Sequence, residues 1–223
     1  MMRAWESRTD CSVVDEPFYG CYLQESGARH PMRDEIIASQ PRTRDGVIQQ
    51  LSATAETPIQ FEKHMTHHMP AGIDLSWTGG MKHVFLIRAP DRVIASYRQK
   101  MPSVSAEAIG IIRQRELFDD ITAITGSRPP VIDSLDLLRD PEGVLRQLCH
   151  TLSVPWQEGA MTTWRRGRRR SDGIWASHWY ASVETSTHFS SPPDSPPQLD
   201  EADRQLADLM MPHFDAMARF KLS

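Results

Sequence analysis

The sequence predicts an α/β protein of three layers, a mostly parallel sheet flanked by helices, and three observations carry that prediction. First, KHVFLIR holds four consecutive apolar residues, Val84–Ile87. An unbroken apolar run of strand length is the signature of a strand covered on both faces, as in a parallel sheet. Second, shorter strand-like runs, around Ser12–Val14, TPIQFEKH and PPVIDS, alternate with segments of helical periodicity, the order that builds βα units. Third, the chain of 223 residues is 39% apolar and 24% charged, the balance of a globular chain with a core, sized for one large domain or at most two small ones.

The elements follow in order. Met1–Arg8 reads as a short helix, and CSVVDEPF as a strand that ends at Asp15-Glu16 and is broken by Pro17. Residues 20–55 are polar and helical in pieces, with Ile36, Ile37, Val47, Ile48 and Leu51 supplying partial apolar faces. TPIQFEKH is a second strand, followed by the histidine-rich MTHHMP. After KHVFLIR, Pro90 favours a helix start, and Val93, Ile94, Tyr97 and Met101 then fall on one helical stripe. A longer helix over roughly 105–125 stops at Gly126, a C-cap. PPVIDS is a further strand, and DPEGVLRQLCHTLSV is a helix with Asp140 as cap, Pro141 in its first position and Glu142 in its first turn. These elements form one α/β domain over 1–189. Four prolines in SSPPDSPPQL make 190–199 an extended linker, and 200–223 form a C-terminal amphipathic helix interrupted by Pro212.

Composition narrows the partners. A net charge of −4 sets up no global attraction to nucleic acid or membrane, yet five of residues 165–170 are arginines, a local invitation to an anion. Cys11, Cys21 and Cys149 are too few and too scattered for a disulfide framework, which suits a reducing compartment. No apolar run approaches the ~18 residues of a membrane span, and the first residues lack a signal-like apolar stretch. The expectation is a cytoplasmic protein with no membrane partner.

Several side chains stand where chemistry could be done. Arg88 directly follows the buried strand, and a guanidinium beside the free amides of a helix start suits a phosphate. Ser96 joins such a site if the anion lies along the helix flank. From spacing alone, an ordinary strand–loop–helix joint with a surface arginine is the commoner reading. His64, near neutral in its usual pKa, suits a general base, and Lys63 suits neutralisation of developing charge. His64, His67 and His68 could share a helix face and bind zinc, but no cysteine or carboxylate pattern supports a metal site, and a structural role for His67 and His68 is favoured. Asp15 and Glu16 either bind an acceptor or act as a second base, or, in Asp15's case, only cap the next segment. The arginine run reads as a solvated loop or as a nucleic-acid patch, the latter weakened by the lack of interleaved aromatics.

Taken together, these segments resemble the sulfotransferases, enzymes with a P-loop-like α/β fold. RAPDRVIASY resembles the segment in which an arginine after a strand and a helical serine hold the 3′-phosphate of 3′-phosphoadenosine-5′-phosphosulfate (PAPS). FEKHMTHHMP resembles the catalytic lysine–histidine region, VIDSLDLLRDPEGVLRQLC the strand–turn–helix that follows, and RRRSDGIWASHW the late Arg-x-x-Gly-Asp-Trp-type loop, with Asp172-Gly173 inverted. The segments ESRTDCSVVDEPFYGCYL and DGIWASHWY resemble a bacterial and plant subgroup labelled branched-chain aminotransferase-like, a label derived from fusion partners that implies no pyridoxal phosphate chemistry. The resemblance implies sulfuryl transfer from PAPS, as co-substrate and without metal, to a hydroxyl or amine of a small-molecule acceptor. It implies His64 as base, assisted by Lys63. Arg88, Ser96, Ser134, Gly173 and one or two of Arg168, Arg169 and Arg170 (Arg169 by register) would contact the nucleotide, and Asp15 and Glu16 the acceptor. The rivals are a non-catalytic nucleotide binder and an anionic-polymer or RNA binder using Arg165–Arg170.

One familiar part has no match. Such proteins open with a strand and a Pro-Arg-Ser-x-Ser-Thr or Lys-x-Gly-Thr loop that cradles the 5′-phosphosulfate. MMRAWES resembles the helix after that loop. The expectation is therefore a sheet lacking its first strand, an unpaired edge near KHVFLIR, and weak or no transfer by the chain as it stands. A start assigned too late is the favoured account, ahead of a degenerate relative and of a replacement strand from elsewhere or from the partner subunit of a homodimer.

Overall fold

A computed structural model describes residues 1–53 and 55–222. Thr54, within the polar stretch, and Ser223, at the end of the C-terminal segment, lie outside the described residues. Two compact units emerge: residues 1–69 with 157–190, and residues 70–156 with 191–223. The predicted class is borne out as an α/β chain, with parallel pairing realised in short two-stranded sheets flanked by helices.

The first unit begins with α1 (Met2–Glu6), β1 (Cys11–Asp15), α2 (Tyr19–Ser26), α3 (Arg33–Ser39), α4 (Arg44–Leu51) and β2 (Ile59–Lys63). β1 and β2 pair in parallel, with Cys11 opposite Ile59 and Asp15 opposite Lys63. Parallel neighbours need a long crossover, and the three helices between them supply it. Glu16 extends the ladder by one step, its N–H donating to the Lys63 carbonyl at 2.9 Å. The unit closes with α10 (Ala176–Trp179) and α11 (Ala181–Thr185). Its core gathers Met2, Tyr19, Leu23, Ile36, Trp175 and Tyr180, all under 9% exposed, with Val13 and Phe61 packed against them. The Trp5 ring stacks on Phe61 with centroids 5.3 Å apart. Cys11, Cys21 and Cys149 are buried and unbonded to one another.

The second unit holds β3 (Phe85–Ile87), α5 (Pro90–Arg98), α6 (Ala106–Ile109), α7 (Ile111–Thr125), β4 (Val131–Asp133), α8 (Ser134–Arg139), α9 (Pro141–Thr151) and α12 (Glu201–Ala218). β3 and β4 pair in parallel, Phe85 opposite Val131 and Ile87 opposite Asp133. Ile87, Phe118, Val131 and Met217 form the core here. The expected two-sided burial of the KHVFLIR strand holds only at Ile87: Val84 and Phe85 are half-buried and Leu86 is 41% exposed. Its carbonyl accepts from the Gln114 side-chain amide at 3.0 Å, so a side chain covers the edge where a neighbouring strand would donate. On the far side, Lys221 bridges Val131 and the Leu222 N–H donates to the Val131 carbonyl at 2.8 Å.

Helix boundaries follow the sequence reading at two positions and depart from it at two others. The helix expected over 105–125 is two, because Gly110 adopts φ 66° and ends α6 before α7 begins. Gly126 caps α7 at φ 69°, a left-handed conformation that glycine reaches without a Cβ penalty. Asp140 caps α9 by accepting from the Gly143 N–H at 2.9 Å, with Pro141 behind it as predicted. Pro212, by contrast, does not interrupt the last helix, which runs unbroken over Glu201–Ala218. Pro212 is exposed, so the carbonyl it leaves without a donor can take water. The helix is held on both sides of it: Asp203 accepts a forked pair from Arg98 on α5 at 2.7 and 2.8 Å, and Met210 and Met217 are buried.

Pro212 still costs a helical hydrogen bond. Pro212→Ala is expected to stabilise the chain by roughly 1–3 kcal/mol, read as a rise in the thermal midpoint of about 2–4 °C per kcal/mol. A midpoint that stays put or falls would show that the helix is built around the proline.

Candidate functional site

The carboxyl ends of parallel strands are where open α/β sheets bind ligands, and both sheets concentrate polar residues there. In the first unit the register sets Asp15 against Lys63, so the next residues, Glu16 and His64, also leave the sheet side by side. Asp15 and Glu16 are 5% and 8% exposed. Neither points to an open space. The Lys63 Nζ lies 3.2 Å from Asp15 Oδ1 and also pairs with Glu16 Oε1. Its third contact is the Tyr180 hydroxyl at 2.7 Å. That hydroxyl in turn donates to the Asp15 carboxylate, 2.8 and 2.9 Å from its two oxygens.

The electrostatics of this cluster follow from burial and pairing. Desolvation pulls on Lys63, but Glu16, Asp15 and Tyr180 outweigh it and hold the ammonium well above its ordinary pKa. Desolvation raises Asp15, with the Lys63 charge opposing and Glu16 adding to the rise. It also raises the Tyr180 phenol. At neutral pH, Lys63 is therefore charged and Tyr180 protonated.

Glu16 carries a second mark. Its backbone sits at φ 43°, a left-handed conformation unusual for glutamate. It is held there by its bond to the Lys63 carbonyl, by the Tyr19 N–H at 3.0 Å and by the Gln40 side-chain amide at 3.0 Å. Strain of this kind persists only where the surroundings over-determine it.

His64 lies beyond the strand end, with Nε2 3.0 Å from Glu62 Oε2. Residues two apart on a strand share a face, so Glu62 was legible as its partner by spacing. His67 and His68 lie in a short 3₁₀ turn, Thr66–His68. There the His68 ring stacks on Tyr19 at 4.6 Å and tilts against Tyr22 at 4.8 Å, while His67 meets Tyr22 edge-on at 5.2 Å. His30 bonds the Tyr19 hydroxyl through Nδ1 at 2.8 Å. Among the described residues, no group of three or more histidines, cysteines or carboxylates is placed to hold a metal.

The late loop is stapled. Trp164 donates from its backbone to the Thr187 carbonyl at 2.9 Å and from its indole to Ser186 at 3.0 Å, and Gly167 donates to the Glu184 carbonyl at 2.8 Å. Arg169 is engaged: its backbone N–H reaches Asp172 Oδ2 at 2.7 Å and its Nε lies 3.5 Å from Glu6. Asp172 also binds the buried Arg3 at 2.7 Å. Arg165, Arg166, Arg168 and Arg170 are exposed, and no ion pair is found for them among the described residues. Gly173 is required sterically, since a Cβ there would lie 2.1 Å from the Trp175 ring.

In the second unit, Arg88 follows β3 and Ser134 follows β4, each one residue past the pair Ile87–Asp133. Asp133 caps α8 by accepting from the Leu135 N–H at 2.8 Å. Arg88 and Ser96 are exposed. Four residues along from Arg88 and four before Ser96 lies Arg92, a residue the sequence reading passed over although the spacing puts it on the Ser96 face of α5. Its Nη2 donates to the Ser195 carbonyl at 3.3 Å. Among the described residues no carboxylate pairs with either arginine. Loss of hydration, then the Arg92 charge, lower the Arg88 guanidinium from its ordinary pKa, with Asp91 opposing.

With this geometry in view, the comparisons decide the family. The sequence matches the model of a sulfotransferase domain over residues 1–220. The chain belongs to that family. Two Arabidopsis thaliana relatives, branched-chain-amino-acid aminotransferase-like proteins 1 and 2, are 31% and 32% identical over 97% and 88% of this chain. The chain spans only 39% and 35% of their lengths. A sulfotransferase from Alicyclobacillus acidocaldarius shares the fold, with a TM-score of 0.56 at 13% identity over 99% of this chain and 90% of that one. The sequence resemblance to the family and to its aminotransferase-like subgroup is thereby borne out.

The histidine cluster carries a pH signature. Burial lowers His67 to about 4, lowers His68 well below its ordinary value, and lowers His30. A depressed imidazole contributes stability above its unfolded pKa, near 6.5, that is lost as pH falls towards the folded value. Denaturant titrations are expected to show stability dropping between pH 6.5 and about 4, by up to ~1.4 kcal/mol per pH unit for each histidine concerned. The raised Asp15 works in the opposite sense as the pH falls through its own titration. His68→Phe, which keeps the stack on Tyr19, should flatten the slope, and an unchanged slope would clear this cluster of responsibility.

Proposed function

We propose that the chain binds a 3′-phosphorylated nucleotide of the PAPS type and transfers its sulfuryl group to a hydroxyl or amine acceptor. The observation that carries the reading is the carboxyl end of the β3–β4 sheet. There Arg88, just before α5, and Arg92, in its first turn, form no carboxylate ion pair among the described residues, and Ser96 lies one turn further along the face of Arg92. Two guanidinium groups in no ion pair among the described residues, and a hydroxyl on the same helix, are donors that suit a phosphate monoester. Ser134 supplies a further hydroxyl on the neighbouring strand end.

In the transfer step, a bond forms between the acceptor oxygen or nitrogen and sulfur. The bond from sulfur to the bridging oxygen breaks, and its electron pair leaves on the nucleotide 5′-phosphate. His64 takes the acceptor proton, and Glu62 at its Nε2 stabilises the imidazolium that forms. Lys63 offers positive charge for the transferring group. Asp15 and Glu16, read from sequence as acceptor contacts, serve here as counter-charges of Lys63. The four exposed arginines of 165–170 support a second reading, attraction of an anionic polymer, for which binding would fall steeply with salt.

Calorimetry with 3′,5′-bisphosphoadenosine tests the first reading. Arg88→Ala should weaken binding by roughly 10- to 100-fold, the worth of a charge-assisted contact of ~1.5–3 kcal/mol. Unchanged affinity in that variant would remove the assignment. Retention on RNA that is insensitive to the nucleotide would move the function to the arginine loop.

A further inference from the structure

A protonated lysine has three N–H donors and no more. In this chain all three donors of Lys63 find acceptors within the protein: Asp15 Oδ1 at 3.2 Å, Glu16 Oε1, and the Tyr180 hydroxyl at 2.7 Å. With its donors spent internally, the ammonium has none left for an oxygen of a bound ligand. One partner has to yield before Lys63 can act on a transferring group.

The three partners are not equal. Asp15 and Glu16 are buried carboxylates, and withdrawing an ammonium from either leaves a negative charge in a poorly solvated place, which is strongly unfavourable. Glu16 is further held by its backbone, fixed at φ 43° by three hydrogen bonds. Tyr180 is neutral. Its own O–H already reaches both oxygens of Asp15, at 2.9 and 2.8 Å. If Lys63 turns away, Tyr180 loses one accepted hydrogen bond and keeps the one it donates.

We infer that Tyr180 is the positioning residue of Lys63 and the partner that gives way, releasing one N–H towards a sulfuryl-type anion while Asp15 and Glu16 hold the ammonium in place. This deepens the transferase reading and rests on it for the identity of the anion. Sulfate and the sulfuryl end of the nucleotide present the same tetrahedral oxygens, so inorganic sulfate is a sufficient probe. The ring, packed in the core beside Tyr19, Trp175 and Ala176, also faces the ammonium at 5.1 Å, a contact that Tyr180→Phe keeps while it removes the hydroxyl.

The experiment measures competitive acylation of Lys63 by acetic anhydride, read by mass spectrometry on the whole chain, with and without inorganic sulfate. In the wild type, Lys63 should acylate slowly and sulfate should protect it only at high concentration. Tyr180→Phe should acylate faster, and sulfate should protect it at about tenfold lower concentration, the worth of one charge-assisted hydrogen bond. Glu16→Gln, whose amide oxygen still accepts from Lys63, should not gain sulfate protection. Equal protection of Lys63 in wild type and Tyr180→Phe would overturn the inference, as would a gain in Glu16→Gln that matches it. Should Tyr180→Phe fail to fold by circular dichroism, fluorotyrosine at position 180 replaces it. The acidified phenol is a poorer acceptor for Lys63, so protection should shift in the same direction by a smaller factor, and no shift would again overturn the inference. Because acylation needs no turnover, absence of sulfuryl transfer by the wild type would count against the transferase reading and leave this result standing.

Discussion

The first unit is organised around one part-buried ammonium, that of Lys63. Drawing an ammonium partly out of water carries a desolvation cost, which charge and hydrogen bonding from its neighbours offset. Parallel pairing of two short strands puts Asp15 opposite Lys63, the left-handed turn at Glu16 brings a second carboxylate, and Tyr180 arrives from the far end of the unit. Removing any one of them would leave another buried polar group short of a partner. The cluster therefore ties strand register, a strained turn and the late helices into one dependency.

The same constraint explains why the neighbouring histidines are neutral. They pack against Tyr19 and Tyr22 in a stack with little water, and the Lys63 charge close by makes a second positive charge unwelcome. His64 sits differently, with Glu62 as its counter-charge. Within the six residues 63–68 the chain thus carries a charged lysine, a carboxylate-paired imidazole and two imidazoles held neutral. That separation of roles by environment is what proton-transfer chemistry needs.

The second unit solves a different problem. Among the described residues, its arginines at the β3 end, Arg88 and Arg92, form no carboxylate ion pair, the feature on which the proposed nucleotide site rests. Elsewhere in the same unit arginines are paired freely, as Arg98 is with Asp203 and Arg115 with Asp119.

Local signals were enough for much of this. Apolar runs located all four strands, and the Asp140–Pro141 and Gly126 signals marked where helices begin and end, because caps and glycine turns act within a few residues. Arg88 at a strand end and Glu62 two residues before His64 are equally local. What the chain alone did not disclose is long-range. Tyr180 meets Lys63 across 117 residues of sequence, and no periodicity reports a contact of that separation. Pro212 reads as a break, yet an exposed carbonyl and anchors on either side let the helix run through it. Leu86 reads as covered on both faces, yet its exposure depends on what pairs with the strand edge. Sequence by itself set the elements and the chemical types gathered at their ends. Tertiary packing alone decided which charges are spent on one another and which are not, since that depends on distances only the closed chain creates.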